Sequence, residues 1–264
     1  MPHMLIFGLG YTATRLAEAL RSRGWTVEAT GRAGTIAFDD DAAVTNAMRR
    51  ATHILSSVPP TDEGDPVLQR YGALLEEAPA NWIGYLSSTG VYGDTGGAWV
   101  DESAPVGQGR RNARAAADLA WQKLGARVRV FRLPGIYGPG RSALDRIRDG
   151  RAHRIDLPDQ IFSRIHVEDI VLGVLAGMAG PCGAYNLADD MPCSQNDVIA
   201  FGCALLDRPA PPLQSIEAAG LSPAAQAFYS ENRRIANGKA KRLLGWQPRF
   251  PDYRSGLAAC LAEE

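Results

Sequence analysis

The chain has 264 residues, the length of one large domain or of one domain with a smaller appendage. It carries 28 Lys and Arg against 29 Asp and Glu, a formal charge of -1, and so lacks the basic surplus of a nucleic-acid or anionic-membrane binder. Hydrophobic residues at 45% and charged residues at 22% exclude a disordered, collagen-like or coiled-coil chain.

The sequence shows no membrane span and no targeting segment. No apolar run reaches the roughly 18 residues that a span needs, and the N-terminus begins a strand at once, without the pattern of a signal peptide. The four cysteines and four histidines are scattered, with no Cys-x-x-Cys or His-x-x-x-His spacing. We therefore expect a cytoplasmic protein without a metal site or disulfide framework.

The first two-thirds of the chain alternates short apolar runs with segments of helical periodicity. Strands are predicted over residues 3–7, 26–30, 53–57, 82–87 and 128–133, with a short additional strand that ends at Asp39 and Asp40. Helices are predicted over residues 12–23, 42–49, 66–77 and 112–124. Because strands that alternate with helices form parallel sheets covered on both faces, we predict an α/β fold with a doubly wound parallel sheet of the Rossmann type.

The last third of the chain has a different pattern. Helices are predicted over residues 169–179, 195–206, 239–244 and 253–262, and a strand over residues 184–187. We divide the chain into a doubly wound domain, residues 1–160, and a small C-terminal α/β lobe, residues 161–264, which is interleaved with the sheet.

A glycine-rich turn follows the first strand and opens the first helix. Gly8 permits the tight turn, Gly10 lets the backbone approach a pyrophosphate, and Ala13 is small where the helix meets the strand. The free N–H groups of the helix N-terminus attract an anion. The segment predicts dinucleotide binding by Gly8, Leu9, Gly10, Tyr11, Thr12 and Ala13. The alternative is an ordinary strand–helix turn whose glycines serve geometry alone.

The end of the second strand indicates which dinucleotide is bound. NAD sites place an acidic residue there for the ribose 2′-hydroxyl, whereas an Arg accommodates the 2′-phosphate of NADP. Gly31 stands at the acid's position and Arg32 follows it, with the Thr30 hydroxyl nearby. This pattern favours NADP, with NAD as the alternative cofactor. In competing interpretations Glu28 is the acid, or Arg32 is an exposed loop charge.

Four motifs occur in the order seen in one enzyme family. They are the turn at residues 8–13, LSSTGVYG at 86–93, FRLPGIYGPG at 131–140 and IHVED at 165–169. Over nearly its whole length the chain resembles the extended short-chain dehydrogenases/reductases, the nucleotide-sugar epimerase/dehydratase group, and most closely an atypical bacterial branch of NAD(P)-binding proteins. The resemblance implies an NAD(P)-binding domain followed by a substrate lobe, and a small, polar substrate.

The resemblance also implies further site residues. Ser56 and Ser57 end the strand whose loop passes the cofactor ribose, and Pro134 and Ile136 lie where backbone groups meet the nicotinamide. The family's Ser/Thr position falls on Ser88, which would hydrogen-bond a substrate oxygen or merely satisfy backbone at the strand end.

The sequence departs from the family at its Tyr-x-x-x-Lys pair. Arg110 and Arg114 stand in place of Tyr and Lys. Arg110 cannot exchange protons near pH 7, whereas Arg114 could still bind ribose hydroxyls. Tyr92 is our first choice for the substitute acid, with Tyr137 and His166 as alternatives, although His166 is expected to pack structurally.

We predict an NADP-preferring oxidoreductase or epimerase-like enzyme. The alternatives are a non-catalytic NAD(P)-binding protein and a nucleotide-sugar epimerase with tightly bound NAD. Arg141 and Arg164 flank the expected crevice and would clamp an anionic substrate, or are ordinary solvated or paired charges. In related enzymes the helices corresponding to residues 66–77 and 112–124 pair across a dimer axis, so a homodimer is also predicted.

Overall fold

A computed structural model of the protein describes residues 1–107, 109 and 112–263. The strands are β1 (His3–Phe7), β2 (Thr26–Ala29), β3 (His53–Ser56), β4 (Trp82–Ser88), β5 (Trp99–Val100), β6 (Val128–Leu133), β7 (Gly135–Tyr137), β8 (Arg154–Ile155), β9 (Arg164–His166), β10 (Gly183–Asn186), β11 (Leu213–Gln214) and β12 (Arg234–Ile235). The helices are α1 (Tyr11–Arg21), α2 (Asp41–Arg50), α3 (Pro66–Glu77), α4 (Asn112–Lys123), α5 (Ala143–Arg148), α6 (Val167–Ala179), α7 (Gln195–Leu205), α8 (Pro223–Phe228), α9 (Gly238–Leu244) and α10 (Tyr253–Ala262), with a 3-10 helix at Thr89–Tyr92.

Six parallel strands form the central sheet in the order β10-β6-β4-β3-β1-β2. The chain moves outward from β1 in one direction to β2 and in the other to β3, so the order reverses at β1. The predicted doubly wound α/β sheet is confirmed. Ligands of such sheets bind at this reversal, outside the carboxyl ends of the strands.

The residues of β1 explain why the sheet is covered on both faces. Successive side chains of a strand point to opposite faces. Met4 and Ile6 pack in the core that contains residues of α1 and α6, and Leu5 and Phe7 pack in the core that contains residues of α2 and α3. All five residues of β1 are buried, which accounts for its continuous apolar run.

The additional strand predicted before Asp39 is wrong. An isolated parallel bridge between Thr30 and Ile36 is the pairing formed there. The chain turns sharply after β2 and brings Gly34 close to the end of that strand. A Cβ on Gly34 would lie 2.3 Å from the Ala29 carbonyl oxygen. The α2 N-cap, Asp40, follows soon after the bridge and leaves little room for a strand.

Residues that follow β6 in the chain form a third core beside the sheet. Helices α5, α7 and α10 pack together there through Leu144, Ile147, Ile199, Cys203 and Leu257. Two short parallel pairs, β7–β9 and β5–β12, connect this part of the chain to the crevice. The division at residue 160 stays a prediction.

Three further features of the described residues concern membrane-spanning helices, thiols and metal sites. No helix among them is long and apolar enough to cross a membrane. Cys182, Cys193, Cys203 and Cys260 are free thiols. Within the same part of the chain, no group of three or more His, Cys, Asp or Glu residues is placed to hold a metal ion.

Candidate functional site

A cavity of about 420 Å³ lies at the carboxyl ends of β1, β4 and β6. Residues of three of the four sequence motifs line it, together with side chains from the C-terminal part of the chain. The lining includes Gly10, Tyr11, Thr12, Ala13, Ser57, Ser87, Ser88, Thr89, Arg114, Pro134, Gly135, Ile136, Arg141, Phe162, Phe228, Glu231 and Arg233.

The glycine-rich turn presents an open helix N-terminus to this cavity. Gly10 is the N-cap of α1, and a Cβ at Gly10 would meet nothing within 4 Å. The first turn of α1 contains no acidic residue. Its leading N–H groups have no acceptor within the helix, so the space above Gly10 fits a phosphate group that approaches the backbone.

Gly8 and Leu9 belong to the glycine-rich turn but do not line the cavity. Gly8 has a φ of +85°, and a Cβ there would lie 2.9 Å from Val58 Cγ2. The Gly8 N–H donates to the Thr30 hydroxyl at 3.2 Å, and the Leu9 N–H donates to the Thr30 carbonyl at 3.0 Å. The Thr30 hydroxyl is therefore committed to the turn. Ser57 Oγ donates to the Gly8 carbonyl at 2.5 Å.

The end of β2 has no carboxylate facing the turn. Gly31 has a φ of +113°, and a Cβ there would lie 3.3 Å from Leu9 N. Arg32 is exposed and lies outside the cavity lining. Glu28, the alternative acid, pairs instead with Arg50 at 3.0 Å.

Ser88 and Arg114 both line the cavity, whereas Arg110 lies outside the described residues. Ser88 Oγ accepts a hydrogen bond from the Gly90 N–H at 3.1 Å and caps the 3-10 helix. Arg114 Nη1 donates to the Tyr85 hydroxyl at 3.1 Å. Burial raises the pKa of Tyr85 to about 12, so this phenol stays neutral and accepts from the guanidinium.

Tyr92 does not line the cavity. Its side chain is 2% exposed, its hydroxyl donates to Asn186 Oδ1 at 2.8 Å, and it accepts from Arg132 Nη1 at 2.9 Å. Burial raises its pKa. Ser56 is also fully buried and outside the lining. Because Tyr92 is buried and its hydroxyl is bonded to Asn186 and Arg132, we do not carry it forward as the acid.

The two alternative acids are buried as well. His166 is inaccessible to solvent, and its Nδ1 accepts from the Glu168 N–H at 3.3 Å as the N-cap of α6. Burial lowers the pKa of His166 to about 4, so the ring is neutral near pH 7. Tyr137 is 7% exposed and its pKa is raised by burial.

Sequence reasoning missed the side chains that close the cavity from the C-terminal part. Phe162 precedes the IHVED motif, which is the signal that would have found it. Glu231 and Arg233 form an ion pair of 2.9 Å that borders the cavity. They lie in an irregular segment whose sequence carries no periodicity or motif.

The chain is similar in fold to many solved structures, of which three are described here. A Silicibacter pomeroyi protein described as functionally unknown is 40% identical, with a TM-score of 0.89 over 100% of this chain and 99% of that chain. Human epimerase family protein SDR39U1, solved with NADPH, is 18% identical, with a TM-score of 0.77 over 99% of each chain. MoeE5, solved with UDP-glucuronic acid and NAD, is 18% identical, with a TM-score of 0.79 over 98% of each chain.

Sequence comparison gives more distant relatives. Escherichia coli protein YeeZ is 27% identical over an alignment of 219 residues that covers 70% of this chain and 76% of YeeZ. A Streptomyces 3-diazoavenalumate denitrifying reductase is 29% identical over an alignment of 143 residues that covers 48% of this chain and 45% of the reductase. The match therefore spans less than half of the reductase.

No protein-family profile matches the chain. The Silicibacter pomeroyi protein nevertheless shares its full length at substantial identity, and the six-stranded parallel sheet is shared with proteins solved with NAD or NADPH. The chain therefore belongs to one family with the Silicibacter pomeroyi protein, and it shares its Rossmann-type fold with epimerase-family and related proteins solved with NAD or NADPH.

Proposed function

We propose that the protein is an NADP(H)-dependent oxidoreductase of a small, polar substrate. The observation that carries this proposal is one continuous cavity that joins the open N-terminus of α1 to Ser88, Arg114 and Ile136. Solved neighbours with NADPH or NAD, and a relative named as a reductase, support a nicotinamide cofactor and redox chemistry.

Each residue has a defined part in the proposal. The N–H groups at the start of α1 bind the pyrophosphate, and Arg32 binds the 2′-phosphate. Arg114, held by the Tyr85 hydroxyl, donates to the ribose hydroxyls, while the backbone at Pro134 and Ile136 borders the nicotinamide. When bound, the nicotinamide exchanges a hydride with the substrate. Ser88 hydrogen-bonds the reacting substrate oxygen.

A second candidate is a cofactor-binding protein without catalysis. The burial of Tyr92 favours it, because that phenol was the expected substitute for the family's acid. Oxidation of NADPH across a panel of carbonyl compounds and nucleotide sugars separates the two candidates, since a non-catalytic protein consumes none. NAD retained through purification would instead favour the epimerase alternative.

Cofactor preference tests the role of Arg32. Arg32→Ala should weaken NADPH binding by roughly 10- to 150-fold, the loss expected for one charge-assisted hydrogen bond, and leave NADH affinity nearly unchanged. Fluorescence titration of the two reduced cofactors measures this. Arg49→Ala, which removes an exposed positive charge from α2, is the matched control. Equal losses for both cofactors, or tighter binding of NADH by the wild type, would contradict the assignment.

A further inference from the structure

A second cavity, of about 410 Å³, adjoins the cavity described above. The two share Gly135, Ile136, Arg141, Phe162, Ser163 and Phe228. Arg141 lies at the junction, with its guanidinium carbon 5.5 Å from the centre of the Tyr11 ring. From there the second cavity extends toward α5, α7 and α10. A ligand in it would lie next to the backbone at Ile136, which is where we place the nicotinamide.

One side of the second cavity is apolar and accessible. The rings of Phe162 and Phe228 stack with centroids 4.3 Å apart and planes within 9°. Phe228 is 42% exposed, although large apolar side chains are usually covered. Val198 and Leu257 also line the cavity, although both are almost fully buried. An apolar body lying on these rings would remove their exposed area from water.

The other side carries positive charge that the protein does not neutralise. Arg141 and Arg146 are exposed, and neither forms an ion pair with a carboxylate among the residues that the structure describes. Asp145 is the acidic residue of this lining, and its Oδ2 already accepts from the N–H and hydroxyl of Ser142 in a capping box. The capping box leaves the two guanidinium groups available to a ligand anion.

The remaining arginines of the lining are already engaged. Arg164 is buried and donates to the Cys193 carbonyl and to Gln195 Oε1. Arg151 pairs with Asp149. The positive charge open to a ligand is therefore concentrated at Arg141 and Arg146.

Several neutral polar oxygens of the second cavity already have a partner within the protein. Ser142 Oγ contacts Asp145 and caps α5, Ser163 Oγ accepts from the Ile235 N–H at 2.9 Å, and Gln195 Oε1 accepts from Arg164. The exposed guanidinium groups of Arg141 and Arg146 are therefore the polar groups that a ligand anion would meet first. An anion attached to an apolar body matches the lining on both sides.

We propose that the second cavity binds the substrate as an organic anion, with its anionic group on Arg141 and Arg146 and its apolar body on Phe162 and Phe228. This inference rests on the proposed function, because the cofactor in the first cavity gives the ligand its reaction. It narrows the substrate to an acid with an apolar or aromatic portion, in place of a sugar nucleotide.

The test compares trans-cinnamate with cinnamamide, a neutral molecule of similar shape, by calorimetric titration of the protein with and without NADPH. Cinnamate should bind the wild type roughly tenfold or more tightly than cinnamamide, the difference expected for a charge-assisted contact. Arg146→Ala, which lies outside the first cavity, should remove this preference, whereas Arg49→Ala should keep it. Phe228→Ala should weaken both ligands by similar factors, because it removes apolar contact alone.

The outcomes separate this inference from the proposed function. Failure of NADPH to bind in its own titration refutes the proposed function, and the titration without NADPH still decides the inference. Cinnamate that binds no tighter than cinnamamide, or a preference that survives Arg146→Ala, overturns the inference. UDP-glucose and inorganic phosphate are titrated in parallel. Tighter binding of UDP-glucose than of cinnamate, lost in Arg146→Ala, would overturn it in favour of a sugar nucleotide.

Discussion

Arg132 and Asp118 form an ion pair almost completely removed from water. Their side chains are 3% and 0% exposed, and Arg132 Nη2 lies 2.8 Å from Asp118 Oδ1. Ser87 Oγ donates to the second Asp118 oxygen at 2.7 Å, and Tyr92 receives another guanidinium N–H. A buried charge is tolerated when its hydrogen bonds are made. These buried polar side chains therefore connect α4 to β4 and β6, and of the four only Ser87 also lines the cavity.

Replacement of Tyr92 tests whether it serves the fold or the reaction. Tyr92→Phe leaves the ring in place but removes an acceptor from Arg132 and a donor from Asn186. We expect the free energy of unfolding to fall by about 1–3 kcal/mol, because buried polar groups lose their partner, and the NADPH affinity to stay unchanged. Urea unfolding and cofactor titration measure the two quantities. A variant as stable as the wild type would contradict this structural role.

Asp189 makes the stability depend on pH. It is 1% exposed, and the nearby charge of Arg164 and the Met191 backbone N–H only partly offset the cost of burying its carboxylate. Burial raises the pKa of Asp189 to about 8, well above its value in an unfolded chain. The folded state therefore holds a proton that the unfolded state releases, and stability falls as the pH rises from about 4 to about 8.

Asp189→Asn should remove much of that dependence. Relative to the wild type, its free energy of unfolding should rise by a few kcal/mol across this range, because no buried carboxylate has to ionise. Urea unfolding at several pH values measures this, with the exposed Asp62→Asn as the control. Parallel curves for wild type and Asp189→Asn would show that burial does not perturb this carboxyl group.

Among the helices and strands, the sequence predicted best those with a clear local signal, such as a helical periodicity with a capping residue or a terminal glycine. The helix predicted over residues 253–262 has those bounds in the structure, with Asp252 as its N-cap. Gly245, with a φ of +63°, ends α9 as its position indicated. The paired strands β7 and β9 have three residues each, too few for an alternating pattern to stand out, and they were missed.

The contrast between local and long-range signals also explains which residues of the cavity could be predicted. The glycine-rich turn was predicted because strand, turn and helix are contiguous in the chain. Phe228 and Glu231 lie far along the chain from the glycine-rich turn. They reach the cavity through tertiary packing that no local pattern encodes. The burial of Tyr92 could not be predicted from the sequence either, because it depends on Arg132 and Asn186 in distant strands.

At the scale of the whole molecule, the predicted homodimer remains open to test. One side of α4 packs inward, since Trp121 is fully buried and its ring N–H donates to Asp65. Leu119 of the same helix is 44% exposed.

A charge at Leu119 should therefore disrupt a dimer formed through α3 and α4. We expect the wild type to have the mass of a dimer at micromolar concentration and Leu119→Arg to have that of a monomer, because the charge would be buried at the interface. Light scattering after size-exclusion chromatography measures the mass. Leu172→Arg, at a 39% exposed leucine on α6, is the control. A monomeric wild type would refute the dimer.

The backbone at Gly31 limits how the cofactor preference of this protein could be redesigned. An engineer seeking NAD specificity would first place an aspartate at that position. A side chain there would be strained by the positive φ and would crowd the amide of Leu9, which belongs to the glycine-rich turn. The exchange would disturb the turn that we propose binds the pyrophosphate, as well as the charge. Conversion therefore requires a rebuilt loop after β2, and a single codon change at position 31 does not suffice.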